Sequence, residues 1–97
     1  MTIQIIPLDT IPDQTFVIDL NGQDCQIHLY LRYRYMYMDL MKDDEILFQG
    51  QICLNNINMI RLPYLKFDGQ LRFVDTQGSD DPYYTGFGER WFLVYVQ

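Results

Sequence analysis

The sequence predicts an all-β fold, a small antiparallel β-sandwich or partly open β-barrel of about seven short strands. Apolar residues recur at every second position, and helical spacing fails along nearly the whole chain. Turn residues follow at intervals of about eight to twelve residues, as in small sandwiches and barrels. With 97 residues, residues 1–97 are predicted to form a single β domain.

The first part of the chain predicts three strands. "TIQIIPL" gives a short strand that Pro7 ends. "TFVIDL", Thr15 to Leu20, alternates apolar and polar residues and is followed by Asn21-Gly22. This pair is a strong hairpin signal, because both central positions of a type I′ turn need positive φ. The partner strand therefore begins at Gln23.

The long run from Gln23 to Met41 predicts two strands. At about 3.3 Å per residue it would extend roughly 60 Å as one strand, too long for a domain of this size. The arginines at Arg32 and Arg34 indicate a solvated break, which leaves strands Gln23–Leu31 and Tyr35–Met41. The core face is assigned by alternation to Ile27, Leu29, Tyr35 and Tyr37.

Four further strands are predicted in the rest of the chain. "MKDDE" supplies a turn before the strand Ile46–Leu54, whose central Gly50 indicates a bulge or a close backbone approach. A brief strand "MIRL" and a loop containing Pro63 follow. "QLRFVD" and the terminal "ERWFLVYV" are the last strands, separated by the irregular segment Thr76–Gly88.

Composition and charge exclude several classes of protein. Apolar residues form 48% of the chain, too many for a disordered protein. The net charge of −6 comes from thirteen acids and seven dispersed bases, which opposes stable nucleic-acid binding. The opening residues do not resemble a signal peptide, and no apolar run approaches the roughly 20 residues of a membrane span. A soluble, cytosolic product without membrane insertion is expected.

Residues for catalysis or cofactor binding are sparse, so no enzyme activity, metal or cofactor is expected. His28 is the only histidine and lies in a period-two run typical of a satisfied sheet residue. Metal sites need three or four fitting ligands, and Asp43-Asp44-Glu45 lacks the pattern of a calcium loop. Cys25 and Cys53 are expected to be small core residues and not a disulfide pair. A disulfide stays the alternative if the protein belongs to an exported particle.

Large side chains occupy both faces of the segment Tyr30 to Leu40. The face carrying Tyr30, Met36 and Met38 is predicted to contact another protein, because the opposite face suffices for a core and Tyr and Met are enriched at interfaces. The tyrosines could instead stack bases, as in a single-stranded nucleic-acid-binding barrel of the OB type. The missing basic groove argues against that alternative.

The segment Thr76–Gly88 is longer than the usual connection in a compact domain, and such loops are often functional. Tyr83, Tyr84 and Phe87 are predicted to anchor it on a neighbouring protein, with Asp80-Asp81 at the polar rim. In the alternative, these aromatic residues fold back over one open end of the core.

Four stretches together resemble the small baseplate plug proteins of contractile-tailed bacteriophages over about the whole chain. They are "IQIIPLDTIPDQTFVIDLNGQDCQIHLYLRY", "YMYMDLM", "EILFQGQICLNNINMI" and "GQLRFVDTQGSDDPYYTGFGERWFLVYV". The order and spacing carry the likeness, and Tyr37 stands where that family tends to have tryptophan.

The resemblance implies a structural virion protein without catalytic residues. It would be made in the host cytoplasm and would lie in the tail baseplate at the central hub, near the tube end and the spike. There it would close the lumen or bridge ring symmetries. The implied partners are other tail and hub proteins and copies of itself.

Overall fold

The computed structural model describes residues 3–61 and 67–97. Within them it contains seven strands in two antiparallel sheets, β2-β3-β4-β5 and β1-β7-β6. The sheets form a sandwich that does not close into a barrel, which confirms the predicted fold class. The strands are β1 (Ile3–Ile6), β2 (Asp13–Leu20), β3 (Gln23–Arg32), β4 (Tyr35–Lys42), β5 (Glu45–Ile52), β6 (Gln70–Asp75) and β7 (Trp91–Val96).

The predicted hairpin turn at Asn21-Gly22 joins β2 to β3. Asn21 has φ 56° and Gly22 has φ 80°, the positive values that the sequence pair favours. The carboxylate of Asp19 accepts a hydrogen bond from the Gly22 N–H at 2.7 Å. The turn is therefore fixed by its own residues, and it sets the register in which Leu20 lies opposite Gln23.

The turn between β3 and β4 inverts the alternation that the sequence suggested. The break predicted at Arg32–Arg34 lies at Tyr33 and Arg34, while Arg32 still belongs to β3. Leu29 pairs with Met38, and Tyr30 pairs with Tyr37. Directly paired residues lie on the same face of a sheet. A two-residue connection thus places odd-numbered residues of β3 beside even-numbered residues of β4. The predicted core face was right on β3 and wrong on β4.

The central glycine of β5 lies at a bulge, as its position in the strand predicted. The pairing of β4 with β5 shifts register on both sides of Leu40. Gly50 has φ 65°, a value unfavourable for residues with a Cβ atom, and its N–H donates to the carboxylate of Asp39 at 2.7 Å. The bulge therefore directs a backbone donor to a carboxylate on the outer face of β4.

The core lies between the two sheets and draws on both. Leu20, Ile27, Leu29 and Leu40 of the larger sheet belong to one buried cluster with Leu71, Phe73, Leu93 and Tyr95 of the smaller sheet. Cys25 and Cys53 are buried and free, as expected for small core residues. Burial raises the pKa of the Cys25 thiol to about 11.

The connection between β5 and β6 differs from the prediction. The brief strand "MIRL" is absent from its described part, Met59–Arg61; just before it, isolated bridges join Asn55 to Phe73 and Asn58 to Arg72. Leu62 and the predicted loop residue Pro63 lie outside the described residues. In the described ranges, no helix has the length and apolar character needed to cross a membrane.

Candidate functional site

The hairpin β3–β4 carries a cluster of tyrosines and arginines, which we call the aromatic hairpin. It consists of Tyr30, Arg32, Tyr33, Arg34, Tyr35 and Tyr37. Tyr33 is 92% exposed and Tyr35 39% exposed, whereas Tyr30 and Tyr37 are half-buried on the outer face of the sheet. Exposed Tyr and Arg side chains are the residue types enriched in protein contacts.

Tyr30 is held in place by its neighbours. Its ring stacks on Tyr37 with centroids 5.9 Å apart and lies 4.7 Å from the His28 ring. Its hydroxyl donates to the Asp39 carboxylate at 3.3 Å. Desolvation, and then the Asp39 charge, raise the pKa of Tyr30. Tyr30 and Tyr37 form the base of the aromatic hairpin, and contacts within the chain are enough to hold it in place.

His28 lies between two carboxylates on the outer face of the larger sheet. Its Nε2 atom is 2.9 Å from Asp13 and its Nδ1 atom 3.3 Å from Asp39. A neighbouring depression, lined by Thr15, Gln26 and Gln49 among others, has a volume of about 130 Å³. Small-molecule sites usually measure about 300–1,000 Å³. His28 is thus a satisfied sheet residue beside a recess too small for such a ligand.

The methionines of β4 lie in the core, contrary to the surface position predicted for them. Met36 and Met38 are both fully buried within the chain. Met36 pairs with Leu31 and Met38 with Leu29, so both face the opposite sheet. Of the predicted face, only Tyr30 lies on the outer side, and its contact with a partner stays a prediction.

The predicted anchor residues of the loop are divided between core and surface. Phe87 is buried and stacks on Phe73 with ring centroids 5.8 Å apart, so the alternative of folding back over the core holds for it. Tyr83 and Tyr84 are half-buried, with ring centroids 4.9 Å apart, at a 3-10 turn of Tyr84–Gly86. Whether these two contact a partner stays a prediction.

The buried carboxylate of Asp75 holds the segment Thr76–Gly88 by hydrogen bonds. The sequence analysis did not predict this role. Asp75 has no exposed side-chain surface and accepts hydrogen bonds from Arg90 Nε and Nη2 at 2.8 and 2.9 Å. It also accepts from the backbone N–H groups of Gln77 and Asp80. The Arg90 guanidinium stacks 4.4 Å from the Trp91 ring. The ion pair joins Asp75 to a residue fifteen positions away, so no local motif could reveal it.

The acidic pair at the predicted rim is part of this organisation. The Asp80 carboxylate accepts from Arg90 at 2.9 Å, and its carbonyl accepts from the Trp91 indole. The Asp81 carboxylate accepts from the Asn55 N–H at 3.0 Å. Both aspartates therefore hold the loop to the fold, while their predicted place at an interface stays untested.

Replacing Asp75 by asparagine is expected to destabilise the chain near neutral pH and to have a smaller effect in acid. Hydrogen bonds from Arg90 hold the pKa of Asp75 well below its usual range. The ion pair thus stabilises the fold fully above the ordinary carboxyl pKa of about 3.9, and this contribution is lost as pH falls through the lowered folded-state pKa.

Urea unfolding of both forms at about pH 7 and about pH 2 measures this difference. Asp44→Asn is a suitable control because Asp44 is exposed and asparagine tolerates its positive φ of 66°. A stability difference between Asp75→Asn and the wild type that is the same at both pH values would contradict the assignment.

The outer face of the smaller sheet is apolar, a second feature that the sequence analysis missed. Ile3 and Ile5 are 61% and 59% exposed, and each pairs with a valine of β7. Register places Arg72 on the same face, where it carries the only formal charge among the described strand residues. We call this surface the apolar face; its apolar members are Ile3, Ile5, Val74, Phe92, Val94 and Val96.

Comparison with known proteins agrees with the resemblance seen in the sequence. Residues 3–97 match the family model described as "Cyanophage baseplate Pam3 plug gp18". No curated protein matches the chain. Because the match spans nearly the whole sequence, the chain belongs to this family of phage baseplate plug proteins.

Proposed function

We propose that this chain is a structural virion protein that plugs or bridges the central hub and tube end of a phage tail baseplate, near the spike. The observation that carries the proposal is that the outer faces of the two sheets carry two chemically different surfaces, each suited to contact with another protein. The apolar face lies on the smaller sheet, and the aromatic hairpin lies on the larger sheet. Bridging two neighbours requires separate surfaces of this kind.

The apolar face has the chemistry of a protein contact. Six apolar side chains adjoin one another across three strands, with Arg72 as the charged group. Contiguous apolar patches on soluble proteins commonly mark interaction sites, because covering them removes apolar surface from water. Ile3 and Ile5 also lie on an edge strand, where a partner strand could pair with the backbone.

A non-enzymatic role in the virion fits these surfaces. The partners proposed are other tail and hub proteins together with copies of this chain. The single-stranded nucleic-acid alternative is less well supported, since Asp13 and Asp39 flank the base of the tyrosine cluster through His28. Carboxylates beside a stacking surface repel a phosphate backbone.

Ile5→Glu is expected to leave a folded monomer that assembles poorly into tails. The substitution places a charge in the middle of the apolar face, and burying it against a partner without a counter-charge is costly. Ile46→Glu is the matched control, because Ile46 is 55% exposed at the acidic end of the larger sheet. Complementation of a phage lacking this chain, followed by measuring the amount of each variant in purified tails, compares the two.

Cryo-electron microscopy of tails carrying a tagged chain tests the location. Density for the tag on the tail axis at the hub, with loss of Ile5→Glu and retention of Ile46→Glu, supports the proposal. Equal incorporation of both variants, or density away from the hub, would overturn it. Micromolar oligonucleotide affinity that weakens steeply with salt would favour the nucleic-acid alternative.

A further inference from the structure

The three tight turns of the larger sheet differ in their residues. Asn21-Gly22 and Asp43-Asp44 use residue types that favour turns and tolerate positive φ. The third turn is Tyr33-Arg34, and Tyr33 has φ 61°. Residues with a bulky side chain disfavour this left-handed region because Cβ approaches the following carbonyl oxygen. The tip of the aromatic hairpin is thus poorly suited to its own turn.

Local choices that oppose the fold tend to occur at functional positions. The unfavourable turn displays a tyrosine that is 92% exposed, with the exposed Arg32 and Arg34 on either side. Among the described residues, neither arginine forms an ion pair with an acid of this chain. An aromatic ring between two available guanidinium groups is the composition of a binding hot spot.

The tip carries two arginines in a chain of net charge −6, and the acids beside its base, Asp13 and Asp39, both contact His28. The turn Asp43-Asp44 lies at the other end of β4, because Tyr33-Arg34 precedes this strand and Asp43-Asp44 follows it. A strand of eight residues spans roughly 26 Å, well beyond the Debye length of about 8 Å at physiological salt. The carboxylates of Asp43-Asp44 therefore offset very little of the positive charge that a partner meets at the tip.

We propose that the tip of the aromatic hairpin inserts into an acidic recess on a neighbouring baseplate protein. The Tyr33 ring fills the recess, and the guanidinium groups of Arg32 and Arg34 pair with carboxylates at its rim. This proposal rests on the proposed baseplate function and adds the chemistry of one partner. The ordered base formed by Tyr30 and Tyr37 presents the tip in a fixed orientation.

A protein recess fits the tip better than a nucleic acid does. A phosphate backbone is bound through several basic groups along a groove, and each contact adds to the salt dependence. The tip offers two arginines at a narrow hairpin end. Each arginine can pair in a bidentate manner with one carboxylate of a partner, so two arginines suffice for a protein contact of this kind.

The double substitution Tyr33→Asn with Arg34→Gly tests the proposal directly. Asparagine tolerates the positive φ of 61° at position 33 better than tyrosine does, whereas glycine at position 34 brings no such benefit because Arg34 does not have positive φ. The free chain is therefore expected to stay folded, with a melting temperature close to that of the wild type. Its incorporation into tails, measured by complementation of a phage lacking this chain, is expected to fall at least about tenfold. Wild-type stability with lower incorporation excludes misfolding as the cause.

Arginine variants examine the charge requirement separately. Arg34→Glu is expected to abolish incorporation, whereas Arg34→Lys retains part of it because the charge remains without the bidentate geometry. Arg61→Glu is the matched control, since Arg61 is exposed and lies outside the hairpin. A photo-crosslinking residue at position 33 should then attach to an aspartate- and glutamate-rich peptide of a baseplate protein.

Normal incorporation of the Tyr33→Asn/Arg34→Gly chain would overturn the inference. So would salt-sensitive binding of a single-stranded oligonucleotide that these substitutions remove, which would make the tip a nucleic-acid contact. Both outcomes leave the hub location intact, because that location is tested by the tag density and by Ile5→Glu.

Discussion

Replacing Met38 by alanine is expected to lower the free energy of unfolding by about 2–5 kcal/mol. Met38 is fully buried and pairs with Leu29 in the core. Truncation removes apolar contacts and leaves a cavity that the surrounding sheet residues fill only partly. For a chain of this size such a loss is a large fraction of the total stability.

The control is Tyr35→Ala on the same strand. Tyr35 is 39% exposed and lies on the outer side of β4, so its truncation should cost less than about 1 kcal/mol. Urea denaturation of both variants measures the contrast. A larger loss of stability in Tyr35→Ala would contradict the core position of Met38. It would instead favour the core face predicted from the sequence, which contains Tyr35 and Tyr37.

Alanine at Phe73 is expected to destabilise the chain by about 3–5 kcal/mol, and alanine at Phe87 by a similar amount. Both rings are buried, and they stack on each other with centroids 5.8 Å apart. Phe73 lies on β6, whereas Phe87 comes from the loop. The pair therefore fastens the loop to the core, and it should show a coupling energy of about 0.5–1.5 kcal/mol in a double-mutant cycle.

Thermal and chemical unfolding of the two single variants and the double variant give this coupling energy. The competing interpretation, in which Phe87 anchors a partner, makes a different forecast. It requires that Phe87→Ala keep the stability of the wild-type monomer and fail only in tail assembly. Unchanged stability of the Phe87→Ala monomer would thus contradict the core position of Phe87.

Much of the fold could be predicted because its signals are local. Period-two alternation marked the strands, and Asn21-Gly22 fixed the first hairpin through its backbone preference. Gly50 indicated the bulge for the same reason. The family resemblance rested on the order and spacing of such signals, and the family match over residues 3–97 confirms it.

The candidate surfaces were harder to predict because alternation does not say which face is buried. Tyr30 was assigned to the outer side correctly, but Met36 and Met38 were assigned there as well. The exposed tip at Tyr33 was interpreted as a break and not as a contact. The apolar face was missed since it is assembled from β1, β6 and β7, which are distant in the chain.

The sequence by itself thus determined most of the strands, the turn at Asn21-Gly22 and the all-β class, because each depends on residues within a few positions of one another. Only the tertiary structure decided which side of β4 enters the core and how Asp75 and Arg90 organise the loop. The first depends on pairing parity across a turn, and the second on a contact between residues far apart in the chain. The first was not predicted because Tyr33-Arg34 lacks the residue types that favour a tight turn, and the second because no local pattern encodes a contact between distant residues.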